Sequence, residues 1–230
     1  MATGARSLLG EALLLFLVLF LPGYLAQPSA AAGAQVDTVR AMLESVLLAV
    51  PQVLLIIHLL SLQGDVPLEH FGLYRPRPRD AAGAVLALAG ALVLAAPLVA
   101  ALAMVPALRE LGAAGYRWSL RSAWELPLAL TFGLAAGYRE ELYFRAYLLG
   151  RFQQAGIPRV AGVAASTMLF ALGHLYEGLL GVALALVMGV YFSLVYLRSR
   201  SLHVPAVAHG LFNAALLALS LVAPGLPGAG

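Results

Sequence analysis

Glu140-Glu141-Leu142-Tyr143-Phe144-Arg145 runs straight on into Ala146-Tyr147-Leu148-Leu149-Gly150, so four ionisable side chains counted from Arg139 stand inside an otherwise apolar stretch. Around it lies a chain of 230 residues, 62% hydrophobic and only 11% charged. Soluble domains are nearer half apolar and a quarter charged, so this composition is that of an integral membrane protein. A carboxylate or guanidinium at mid-bilayer costs on the order of 3 kcal/mol on insertion scales. Charges placed there mark a site rather than a solvated face.

Working outward, seven apolar stretches are long enough to be read as crossings: 8–26, 41–62, 81–106, 125–150, 159–175, 179–197 and 203–223. The expected fold is all-α, a polytopic bundle of about seven transmembrane helices, with a polar site between the fourth, fifth and seventh. Gln27-Pro28-Ser29, Gly64-Asp65-Val66-Pro67, Arg75-Pro76-Arg77-Pro78-Arg79 and Ile157-Pro158-Arg159 supply the breaks. The chain reads as one membrane domain: variable helices over 1–120, a catalytic core over 121–223, and a Pro/Gly-rich, disordered tail over 224–230. With the N-terminus in the cytoplasm, Arg6, Arg75, Arg77, Arg79, Arg151, Arg159, Arg198 and Arg200 fall inside, and the C-terminus lies outside. The first stretch has the outline of a signal peptide, with Arg6, an apolar run and small residues near Ser29-Ala30-Ala31, but its length favours a retained helix.

All 14 basic residues are Arg, scattered among loops, so no nucleic-acid patch exists. The absence of Cys excludes disulfides, thiolate nucleophiles and Cys-ligated metals. The Arg75/Arg77/Arg79 cluster fits an inner-leaflet anchor. A bacterial-type inner membrane is the expected location, the bilayer the first partner, and the oligomeric state open.

Helical geometry divides the labour within the charged run. Glu141 and Arg145 are four apart and share a face, so they pair. Glu140 is turned by about 100° from Glu141 and is expected to face a cavity without a cation of its own. Phe170 and His174 are four apart on the fifth stretch; His209 and Asn213 are four apart on the seventh. Each His alone reads as a packing residue, whereas two His, an Asn and a Glu pair on three helices read as one site. His58 reads as an interhelical hydrogen-bonding residue, His70 as a loop residue and His203 as a helix start, all without a catalytic role. Gly133 and Gly137 form a small-xxx-small spacing for close helix packing.

These three motifs, Glu140-Glu141…Arg145, Phe170…His174 and His209…Asn213, in that order, resemble the CPBP intramembrane proteases, which include CAAX prenyl endopeptidases and bacterial immunity-type relatives. The resemblance covers roughly 125–220; Ala146 stands where many members have Gly. It implies hydrolysis of a peptide bond in a membrane-associated or lipid-anchored protein. By that analogy Glu140 is the general base, His174 helps hold its water, and His209 and Asn213 stabilise the tetrahedral oxyanion. Glu141, Arg145 and Phe170 would be structural or substrate-positioning.

No cofactor is favoured. Zinc held by Glu140, His174 and His209 is the competing expectation, with no HExxH or HxxEH run behind it. The competing functions are a scaffold or immunity factor that acts by binding, and a proton-coupled carrier; no internal repeat favours the latter. One conflict of depth arises. At 1.5 Å per residue, Glu140 lies about 15 Å from the inner end of its helix, His209 about 9 Å and His174 about 22 Å. The sequence therefore predicts a re-entrant or irregular start to the fifth helix at Pro158-Arg159.

Overall fold

The computed structural model describes residues 2–25, 37–62, 66–104 and 118–222. Among these the protein is helical throughout, with no strand. Its elements are α1 (Ala2–Leu19), α2 (Thr38–Ser61), α3 (Pro78–Met104), α4 (Leu126–Glu141), a π-helical segment (Leu142–Leu148), α5 (Leu149–Gln154), α6 (Arg159–Leu172), α7 (Gly178–Ser199) and α8 (His203–Val222). A helical turn over 21–25 continues α1. The tail over 224–230 and the Ser29-Ala30-Ala31 segment lie outside the described residues.

Among the described residues, four segments are long and apolar enough to cross a membrane: Thr38–Ser61, Pro78–Ala101, Leu175–Ser199 and His203–Val222. Four of the seven expected stretches meet this measure among the described residues. The run over 126–154 fails on its charges, and Arg159–Leu172 is too short. Leucines and valines such as Leu47, Leu86 and Val93 project outward from these helices, as a lipid-facing surface requires.

Local chemistry sets the boundaries. Asp37 caps α2, its side chain accepting from the backbone N–H of Val39 and Arg40. Gly156, at φ 77°, ends α5, and the Ile157 N–H returns to the Phe152 carbonyl at 2.9 Å. Pro158 then starts α6.

Packing brings α4 and α8 together more extensively than any other pair. They run antiparallel with backbones in contact. A Cβ on Gly137 would lie 2.5 Å from the Ala206 carbonyl oxygen and 2.7 Å from the Gly210 nitrogen; one on Gly210 would lie 2.7 Å from the Leu134 Cα. In lipid no hydrophobic force drives helices together, so this closeness rests on van der Waals contact that only small residues permit.

The fifth helix corrects the expectation of an irregular start: α6 is regular from Arg159. The irregularity lies in its neighbour and at its own far end. The helical run through Glu140 does not stop at residue 150 but continues to Gln154. Glu140 is then about 21 Å from that end, level with His174 at about 22 Å from Arg159. The remaining offset of His209 is absorbed because α8 starts inside the protein. Ser201, Leu202 and His203 are buried, and the Leu202 N–H bonds the Gly72 carbonyl at 3.1 Å. Gly72, at φ 73°, admits no side chain there, since a Cβ would sit 2.6 Å from the Leu202 nitrogen.

Candidate functional site

The π-helical segment begins one residue after Glu141, and such segments concentrate at functional sites because they displace the regular ladder. Its Phe144 carbonyl accepts from the Ser166 hydroxyl on α6 at 2.9 Å. The cost of the disrupted ladder is thus met by a neighbouring helix.

At this junction Glu141 and Arg145 pair, the carboxylate 3.1 Å from Nε, both side chains essentially sealed from solvent at 0% and 1% exposure. Arg145 lies beside the Phe170 ring, its guanidinium carbon 4.7 Å from the centroid. The second oxygen of Glu141 is 2.8 Å from His209 Nδ1. A carboxylate bound to Arg only accepts, so Nδ1 carries the hydrogen. His209 stacks on Phe192, centroids 5.2 Å apart, and its Nε2 lies 3.8 Å from a Glu140 oxygen. That separation is beyond a hydrogen bond and within reach of a bridging water.

Glu140 points away from Glu141 into a cavity of about 240 Å³. The cavity is lined by Arg139, Glu140, Phe170, His174, Tyr176, Glu177, His209 and Asn213, with Phe132, Leu180, Leu184, Met188, Leu216 and Leu217 as apolar walls. Glu140, His174, His209 and Asn213 therefore meet in one space, contributed by α4, the end of α6 and α8. His174 follows the last turn of α6, in a bend at φ −108°, and its Nδ1 is 3.0 Å from the Phe170 carbonyl. A carbonyl only accepts, so Nδ1 holds the hydrogen and Nε2 keeps its lone pair.

Two expectations change. Glu140 does have a cation: Arg139 meets it at 2.6 Å. Adjacent residues do not face each other on a helix, and only the length of the Arg arm closes that gap, so spacing gave no sign of the pair. And His209, expected beside Asn213 as an oxyanion donor, has its Nδ1–H committed to Glu141. Glu177 and Tyr176 were also missed as cavity residues. Only the position of Glu177, one turn after His174, hinted at the former.

Among the described residues no three His, Asp or Glu side chains converge as a metal requires, and Glu140 is already engaged by Arg139. His58 and His70 lie outside the cavity. His203 belongs to a separate cluster with Tyr138 and Tyr74.

Residues 122–215 match the family model described as type II CAAX prenyl endopeptidase Rce1-like. The match takes in every residue of the site from Glu140 to Asn213 and excludes α1, α2 and α3. No curated protein and no solved structure gives a significant match.

Proposed function

We propose, from the match of residues 122–215 to the Rce1-like model, that the chain is an intramembrane endopeptidase of the CPBP/CAAX protease family that cleaves a membrane-associated or lipid-anchored protein with a glutamate-activated water. The observation that carries the reading is the meeting of Glu140, His174, His209 and Asn213 in one apolar-walled cavity.

In this mechanism Glu140 accepts a proton from a water that also donates to the bare Nε2 of His174. The hydroxide attacks the scissile carbonyl, and Glu140 then returns the proton to the leaving amine. Asn213, whose amide donates without carrying charge, faces the developing oxyanion. His209, held by Glu141, keeps its ring at the edge of the same space, with Nε2 3.8 Å from a Glu140 oxygen. The buried Glu141–Arg145 pair holds this ring in place and touches no reacting atom.

Glu140→Gln retains shape and hydrogen bonding but removes the base. Full loss of cleavage of a membrane-anchored reporter, with unchanged thermal unfolding in detergent, is the expected result. An active, folded Gln variant eliminates the mechanism. A folded chain whose cellular effect survives Glu140→Gln would be a scaffold instead.

The orientation that goes with this reading has the N-terminus in the cytoplasm and the C-terminus outside, after seven crossings. Because the chain has no Cys, single cysteines placed at Arg77 and at Gly228 report sidedness without background. Labelling of residue 228 from outside and of residue 77 from inside is expected; the reverse overturns the orientation.

A further inference from the structure

Residues 2–25 lie outside the matched segment, yet their last turns touch both walls of the site. Phe20 is buried, with its ring 4.7 Å from that of Tyr143 and 5.1 Å from that of Phe144. The Arg139 guanidinium lies against the same ring, 5.7 Å from its centroid, and Arg139 is the cation on Glu140. One turn further on, Tyr24 lies against Gly173, where a Cβ would be 2.6 Å from the ring, and its hydroxyl donates to the Leu169 carbonyl at 3.3 Å. Gly173 is the residue before His174. A single stretch of chain therefore holds the residue preceding the base and the residue preceding its histidine.

The register of α1 is fixed by polar contacts, which an apolar face alone would not specify. Glu11 accepts from both the Tyr147 hydroxyl and Arg151 at 2.5 Å, and the Tyr143 hydroxyl donates to the Ala12 carbonyl at 2.9 Å. The Gln52 side chain on α2 donates to the Leu19 carbonyl at 3.1 Å. An intramembrane carboxylate is tolerated where it is satisfied in this way.

We propose that Phe20 and Tyr24 are positioning residues of the site: Phe20 holds Arg139 on Glu140, and Tyr24 holds the Gly173–His174 bend. The proposal concerns the site assigned to peptide hydrolysis above, but it stands on packing and is tested without a substrate. Glu140 is faced by Arg139, His174 and His209, with Tyr24, Arg145 and Tyr176 within electrostatic reach. Of these, Arg139 is the group whose placement depends on Phe20.

The full chain in detergent is treated with dicyclohexylcarbodiimide, which modifies protonated carboxyls in apolar surroundings, and each site is followed by mass spectrometry. Phe20→Leu keeps the apolar packing and removes the aromatic face. It should raise labelling of Glu140 about fivefold, the equivalent of one cation–π contact. Phe20→Tyr should restore the slow rate. Glu177, in the same cavity, is the internal standard and should not change. If Phe20→Leu does not fold, Phe20→Met makes the same test. Tyr24→Leu should correspondingly speed modification of His174 by diethyl pyrocarbonate, with exposed His70 unchanged. Unaltered Glu140 labelling in Phe20→Leu, or Glu177 rising in step with it, overturns the proposal. An active Glu140→Gln variant would end the glutamate-base mechanism without touching the labelling rates of the Phe20 and Tyr24 variants, so the two fail separately.

Discussion

Helix α8 carries two histidines six residues apart that meet opposite fates. His203 is closed on every side. Its Nε2 donates to the Tyr74 carbonyl at 2.6 Å, and its Nδ1 accepts from the Tyr138 hydroxyl at 3.0 Å. Tyr74 donates in turn to Asp80 at 2.9 Å, and Asp80 accepts the Arg77 N–H at 2.8 Å. His209, by contrast, spends one nitrogen on Glu141 and leaves the other 3.8 Å from Glu140 at the cavity edge. Both clusters join α4 to α8 and both are rich in ionisable groups. The difference is where the ring nitrogens point: both of those of His203 are bonded to protein groups, which stiffens the fold, whereas one of those of His209 faces the cavity, where it can act on something else.

The largest expected effect strikes the open cluster from beneath. Glu141→Leu would leave the Arg145 guanidinium buried without its carboxylate and free the His209 ring. Removing one partner of a buried pair costs about 3–5 kcal/mol. Unfolding in detergent should show a loss of that size together with lost cleavage. A stable, active variant would mean the pair is not what anchors His209.

Next comes the contact that brings the two clusters into being. Gly137→Ala places a methyl group against backbone atoms of Ala206 and Gly210, and backbone yields less readily than a side chain. Overpacking of this kind costs about 1–3 kcal/mol. A shift of about 1 Å between α4 and α8 would slow catalysis by about 100-fold. A kcat within twofold of wild type would show that the helices have slack the structure does not suggest.

The smallest effect belongs to the closed cluster. Tyr138→Phe leaves the Nδ1 of His203 without its donor, at a cost of about 1 kcal/mol, and kcat should stay within twofold. Abolished cleavage in a folded Tyr138→Phe protein would break the distinction between the clusters outright.

Legibility in the sequence followed how local each interaction is. The Glu141–Arg145 pair was readable because four residues make one helical turn, and the Gly133/Gly137 spacing because small residues at that interval admit a backbone. Arg139 on Glu140 was not, since neighbouring positions diverge on an ideal helix and only the long side chain bridges them. The regular start of α6 was mistaken because the π-helical segment and α5 extend the preceding helix to Gln154. No periodicity marks where an apolar helix ends when the next residues, Arg151-Phe152-Gln153-Gln154, mix polar and apolar character.

The sequence by itself determined that this is an all-helical membrane protein and singled out the run from Glu140 to Arg145 as the expected site. Composition and hydropathy bound the class, and charge in an apolar helix is too costly to be incidental. It also supplied the three motifs and their order. The tertiary structure alone decided how those residues are arranged. The antiparallel glycine contact of α4 with α8 sets His209 between two carboxylates, and Phe20, just past α1 and more than a hundred residues away in the chain, reaches Glu140 through Arg139. Those relations depend on which helices touch and at what depth, and in lipid that is set by shape and polar pairing between helices rather than by the apolarity the sequence displays.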